Sequence, residues 1–232
     1  FLGGRDAEVG EDVTEALGVV KFEPPVPAQL SGEVLGPFPG FIPKTDQERV
    51  QNLLERLPEW QTLTFELTEK IDGSSGTVYE HDGHFGVCSR NLEMKDTPEN
   101  TFWRVAHELG LPSLLHEHAV QGELAGEGIQ GNPYRIRGQH LFVFDVYSFA
   151  EKRYLSPEER VRFLANTPMK SVPLLGEGKL MTFDEMLLAA GGKSALNPKT
   201  EREGVVWKQH GPAHDRVSFK VVNNEFLLKH EQ

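Results

Sequence analysis

The apolar positions change period along the chain, and those changes mark its elements. In TLTFELTEKI, Leu63, Phe65 and Leu67 alternate with Thr64, Glu66, Thr68 and Lys70, which predicts a strand with one apolar and one polar face. It stops at the turn signal Asp72-Gly73. GTVYE and HFGVCSR keep the two-residue period around His81-Asp82-Gly83-His84 and predict a hairpin. VQGELAGE and LFVFDVYSF read as strands joined by the glycine-rich GIQGNPYRIRG, and GVVWKQH and RVSFKVV read as closing strands. Elsewhere the period lengthens. Thr45 predicts a cap for a helix over Asp46–Leu57, with Val50, Leu53, Leu54 and Leu57 on one face. Thr97-Pro98 predicts the start of a helix carrying Phe102, Val105, Ala106 and Leu109. Ser156 with Glu159 and Thr182 with Glu185 match capping boxes, and Gly191-Gly192 ends the second of those helices. Strands and helices do not alternate regularly, so the expected class is α+β, with largely antiparallel sheets flanked by helices.

Composition adds limits. The 232 residues are 38% hydrophobic, enough for one large domain with its own core. Residues 1–40 are dense in Pro and Gly and read as a linker or docking segment, leaving 41–232 as the folded domain. No apolar run suits a membrane span, and FLGGRDAEVGEDV lacks the basic start and apolar core of a signal peptide. With Cys88 the sole cysteine no internal disulfide can form, and an intracellular, cytoplasmic or nuclear setting is expected. The formal net charge of -11 sits awkwardly with a nucleic-acid partner.

Several charged residues stand at strand ends: Lys70, Arg90, Glu123, Glu203, Lys208 and Lys220. Any one of them alone is most simply a solvated strand residue. Their order is more informative. Lys70-Ile71-Asp72-Gly73 matches K-x-D-G, Arg90 follows the next strands, and Glu123 lies in an E-L-x-G context. Phe142-Val143-Phe144-Asp145 is an aromatic strand ending in Asp, Glu203 to Lys208 matches E-G-x-V-x-K, and Ser218-Phe219-Lys220 supplies a final lysine. From about Phe41 to the C-terminus this series resembles the covalent nucleotidyltransferases: RNA ligases, DNA ligases and capping enzymes. Ser75 stands where DNA ligases typically carry Arg, and GELAGEGIQGNPY and NNEFLLK look like nick-sealing RNA-ligase sequence.

The resemblance implies an ATP-dependent RNA ligase with a ligase/capping-enzyme-type, ATP-grasp-like domain. Alternatives are a DNA ligase or capping-type enzyme, or a non-catalytic AMP/ATP-binding module. In this reading Lys70 takes AMP from ATP and passes it to a 5′-phosphate, and a 3′-hydroxyl then seals the end. A lysine nucleophile must be neutral, which costs roughly 4 to 5 kcal/mol from an ordinary pKa of ~10.4. Lys220 is expected on the α-phosphate with Lys208 supporting, and Asp72, Glu123 and Glu203 supply oxygens for Mg²⁺ or Mn²⁺. Glu69 and Ile71 flank the nucleotide, Phe144 stacks on adenine, Glu123 contacts ribose or metal, and Arg90 binds the RNA end phosphate. Val222 occupies the place of a second lysine, so Lys220 acts alone or Lys229 or Arg216 substitutes. The expected partner is a nicked RNA duplex, the expected state a monomer, and an oligonucleotide-binding domain is expected upstream. Lys44 and Arg49 either reach nucleotide phosphates or simply decorate the capped helix. His116 and His118 lack partners at zinc spacing, and GEGIQGNPY lacks the GK[ST] of a P-loop.

Overall fold

The computed structural model describes residues 13, 14, 17, 18, 32–211 and 216–230. The chain divides into a unit of residues Phe1–Gly32 and a unit of Glu33–Gln232. In the first, the Leu17 N–H closes a turn on the Val13 oxygen at 2.9 Å; the linker expected there lies otherwise outside the described residues. Everything below concerns the second.

Its larger sheet runs β1 (Val34–Pro37), β6 (Leu92–Met94), β5 (His84–Ser89), β4 (Ser74–His81), β7 (His118–Gly126), β8 (Gln139–Ser148) and β10 (Lys170–Ser171), with β9 (Arg153–Tyr154) also on β8. The smaller runs β11 (Leu174–Lys179), β3 (Thr64–Lys70), β12 (Gly204–Gln209), β13 (Ser218–Val222) and β2 (Glu48–Arg49). Every pairing is antiparallel except β10 with β8 and β13 with β2. Helices α1 (Thr101–Glu108), α2 (Pro157–Leu164), α3 (Phe183–Ala190) and α4 (Asn224–His230) complete the expected α+β architecture. Among the described residues no helix is long and apolar enough to cross a membrane.

The two-residue period sets what each face of the smaller sheet does. Phe65, Leu67, Val205, Trp207, Phe219 and Val221 alternate onto one face and bury a core with Met186 and Ala190 of α3. Phe219 lies between Trp60 and Trp207, with centroids 5.9 Å away on both sides. Such pairs contribute about 0.5–1.5 kcal/mol each beyond burial. Thr68, Lys70, Val206, Lys208 and Lys220 line a cleft from the other face.

Some expected boundaries are corrected. No helix covers Asp46–Leu57: Arg49 is extended (φ -75°, ψ 136°), Glu48–Arg49 pairs with β13, and tight 3₁₀ turns follow over Val50–Asn52 and Leu54–Trp60. Pro58 sits inside that second segment, where an α-helix would lose a hydrogen bond. The apolar positions still do their work, since Val50, Leu53 and Trp60 are buried against the sheet. The helix expected from Thr97 begins later, because Asn100 Oδ1 accepts the Phe102 and Trp103 N–H groups at 3.0 and 3.2 Å. Both capping boxes form. The folded unit reaches back to Glu33, since Val34–Pro37 pairs with β6.

One buried ion pair ties α2 to β3. Arg160 meets both oxygens of Glu66, at 2.8 and 2.7 Å, with side chains only 4% and 1% exposed. Removing one partner strands a buried charge, so Arg160→Ala should lose about 3–5 kcal/mol in urea unfolding. Pairing it with Glu66→Leu should return most of that loss; a single variant as stable as wild type would contradict the assignment.

Candidate functional site

The two sheets flank a cleft of about 570 Å³. The chain crosses between them at Ile71–Gly73. Lys70 still pairs in register with Gly204 of β12, and by Ser74 the chain pairs with Leu124 of β7. In between, Ile71 is buried with Ala125, Tyr134, Phe142 and Val172. A Cβ on Gly73 would lie 2.4 Å from the Leu124 carbonyl oxygen, so only glycine lets the crossing pass this close to β7. The K-x-D-G spacing therefore has a mechanical reason: lysine on the last ladder position, a buried apolar anchor, a carboxylate, then a residue without a side chain.

Lys70 projects into the cleft and its ammonium contacts Glu203 Oε1. Glu203 Oε2 is buried with no hydrogen-bond partner. Glu123 and Asp72 also line the cleft. Burial, then repulsion from Glu203 and Asp72, pushes the Glu123 carboxyl up to about 8 against the pull of Lys70 and Arg90. Burial likewise raises Glu203, opposed by Lys70. Carboxyls held this way ionise when a cation arrives, and an orphaned oxygen points to one, so this donor set fits a hard divalent ion. It does not form a cage. Among the described residues, only His81, Asp82 and Glu117 bring three ligand atoms within 4.8 Å of one another. The expected trio of Asp72, Glu123 and Glu203 lines the cleft without coming that close together, and Lys70 already engages Glu203. A cation there would draw remaining ligands from water and phosphate.

Lys220 and Arg90 line the same cleft. Burial first, then Lys70, Arg49 and Arg90, lowers the Lys220 ammonium, so these positive groups share a space that an anion would relieve. Lys220 stands in register with Arg49 across β13 and β2. Neither expected substitute for a second lysine reaches this spot. Arg216 makes a two-pronged pair with Asp145, both bonds at 2.8 Å, and Lys229 lies 4.0 Å from Glu201. Arg49, which the sequence left open between reaching nucleotide phosphates and decorating a helix, is the residue beside Lys220 on the neighbouring strand. Arg90 lines the cleft and its guanidinium contacts Asp46 at the exposed rim.

Lys208, expected to support Lys220 at the phosphate, lines the cleft and is also tied to the neighbouring strand. Its Nζ donates to the Phe144 carbonyl oxygen at 2.7 Å and to Asp145 Oδ2 at 3.1 Å. Burial pushes it down to about 8 although Asp145 pulls upward. Burial would raise Asp145 too, but Arg216 and Lys208 hold it well below the usual carboxylate range. The cause is a register shift between Gln121 and Gly122, which leaves Phe144 without a ladder partner. Such a bulge re-aims a side chain and frees its carbonyl. Phe144 faces the cleft while Lys208 and Arg160 satisfy its oxygen. Lys208 thus positions Phe144. Glu69 and Ile71 line the cleft as expected, but Glu69 Oε2 accepts the Ala195 N–H at 2.8 Å and Oε1 is buried without a partner. Arg160, which meets Phe144, carried no motif signal in the sequence, and Tyr134, which meets Asp72, stood there only as the last residue of GELAGEGIQGNPY, with no role assigned.

Glu123 makes stability depend on pH. Its folded pKa lies above the ordinary 4.5, so its contribution is full below about 4.5 and is lost as pH rises through about 8. Glu123→Gln should raise stability at pH 8 by about 1–3 kcal/mol, allowing for partial exposure, and change little at pH 4.5. Equal effects at both pH values, read by chemical denaturation, would contradict this.

Comparison with known proteins agrees with the geometry. The RNA ligase family model matches residues 63–222. No curated protein matches the chain. Among solved structures, Naegleria gruberi RNA ligase with pyrophosphate is 43% identical, with TM-score 0.81, over 97% of this chain and 68% of that one. A point mutant of that ligase with ATP and manganese is 42% identical, with TM-score 0.81, over 96% and 68%. Another mutant, with AMP and manganese, gives 42% and 0.80 over 97% and 68%. The chain belongs to the RNA ligase family.

Proposed function

We propose that the chain is an ATP-dependent RNA ligase working through a lysyl-AMP on Lys70. The observation that carries this reading is the position of Lys70: on the last ladder position of β3, in a cleft that Asp72, Glu123, Glu203 and Lys220 also line. The Lys70 amine gives up its contact with Glu203 and attacks the α-phosphorus of ATP. A nitrogen–phosphorus bond forms, the bond to pyrophosphate breaks, and a proton leaves the nitrogen. Lys220 and Arg49 meet the phosphate charge, and Phe144 provides a flat face for adenine. A divalent ion, manganese as in the related structures or magnesium, would supply charge neutralisation at the phosphates. Asp72, Glu123 and Glu203 are the residues to hold it, directly or through water. AMP then passes to an RNA 5′-phosphate, Arg90 at the rim binds that end, and attack by the 3′-hydroxyl releases AMP.

The finer reading is sealing of nicks in duplex RNA by a monomer. A net charge of -11 disfavours a long phosphate backbone, which supports a separate basic module as the grip on RNA. Incubation with ATP and manganese should add one adenylate to the intact mass, and nicked RNA with a 5′-phosphate should then remove it. Lys70→Met should gain nothing. A variant labelled like wild type would overturn the nucleophile assignment.

A further inference from the structure

The nucleophile's crossing holds a backbone donor outside both ladders, the Asp72 N–H. Lys70 has its ladder partner in β12 and Ser74 has one in β7, but Asp72 lies between the sheets. Its N–H donates to the Tyr134 hydroxyl oxygen at 2.7 Å. Tyr134 is 3% exposed and packs with Ile71, the other inner residue of the crossing. We infer that Tyr134 is a positioning residue that sets the path of the crossing, and so the aim of Lys70 and Asp72; the inference rests on the adenylylation reading above.

The segment that delivers Tyr134 is built to do so. It joins β7 to β8 and holds Gln130, Asn132 and Arg135 at φ 44°, 47° and 54°, a left-handed backbone that side-chain-bearing residues rarely adopt. Surrounding bonds hold that strain. Asn132 Oδ1 accepts the Ile136 N–H at 3.0 Å and its Nδ2 donates to the Ile136 oxygen at 2.8 Å. Gln139 Nε2 donates to the Glu127 oxygen at 2.8 Å across the base of the loop. A tyrosine needed only as apolar filling would not need its hydroxyl on a neighbouring backbone. The loop thus reaches the crossing through the Asp72 backbone and through packing on Ile71. Small misplacements of a nucleophile are expensive in rate, while substrate binding through other contacts survives.

Tyr134→Phe keeps the ring and removes the hydroxyl. In single-turnover adenylylation of the full chain, its maximal rate should fall tenfold or more, with the half-saturating ATP concentration changed less than twofold and Tm nearly that of wild type. Hydrogen exchange across Ile71–Gly73 should speed up at least tenfold, a readout independent of catalysis. Asn132→Gly, which permits the same backbone but frees the loop, should shift the same two quantities in the same direction. A wild-type maximal rate with unchanged exchange in Tyr134→Phe would overturn the inference, as would a loss confined to ATP half-saturation or Tm. Wild-type protein run alongside separates the two readings: a wild type that takes no adenylate overturns the adenylylation reading, whereas a labelled wild type matched by Tyr134→Phe overturns only the role of Tyr134.

Discussion

A polypeptide that leaves one sheet and enters another must pass a point where neither ladder supports it. In this chain that point is Ile71–Gly73, and the structure around the cleft answers to it. The exit fixes Lys70 at the end of β3, because Gly204 is its last partner. Burial of Ile71 anchors the middle, and Gly73 admits the Leu124 carbonyl where any side chain would collide. The nucleophile thus lies where the backbone is held on both sides while its side chain has room to work.

The same junction sorts the charges. Asp72 from the crossing, Glu123 from β7 and Glu203 just before β12 line the cleft with Lys220, which is in register with Arg49 on the neighbouring strand of the smaller sheet. With no ligand between them, the two sets relieve each other only in part: Lys70 contacts Glu203, while Glu123 and Lys220 remain shifted toward their neutral forms. An arrangement so poorly neutralised internally suits a ligand carrying both signs, such as a nucleotide with a divalent ion. Lys208, at the cleft, joins Asp145, Arg216, Arg160 and Glu66 in a buried, paired set that supports the bulge at Phe144.

Much of this was legible in the residues. Alternation in Leu63–Lys70 named both faces of β3, and the capping boxes at Ser156 and Thr182 placed α2 and α3. The ordered motifs named nearly every residue lining the charged part of the cleft. What failed was decided by tertiary contacts. Residues 46–57 carry a helical period, but pairing of Glu48–Arg49 with β13 overrides it and puts Arg49 beside Lys220. Lys208 lines the cleft, but its bond to the Phe144 carbonyl oxygen went unseen because the bulge that frees that carbonyl, in a distant strand, has no local signature. Tyr134 sits in a glycine-rich connection that looks like plain loop, and only its 2.7 Å bond to Asp72 reveals it. β11 escaped notice because LLGEGK has little apolar alternation to mark it as a strand.

The central claim is that this junction makes Lys70, and no other lysine of the cleft, the one that becomes covalently modified. Proteolysis of protein incubated with ATP and manganese, followed by tandem mass spectrometry, locates the adenylate directly. The account predicts the adduct on the peptide containing Lys70, with Lys208 and Lys220 recovered unmodified; an adduct on either of those two, with Lys70 unmodified, would contradict it.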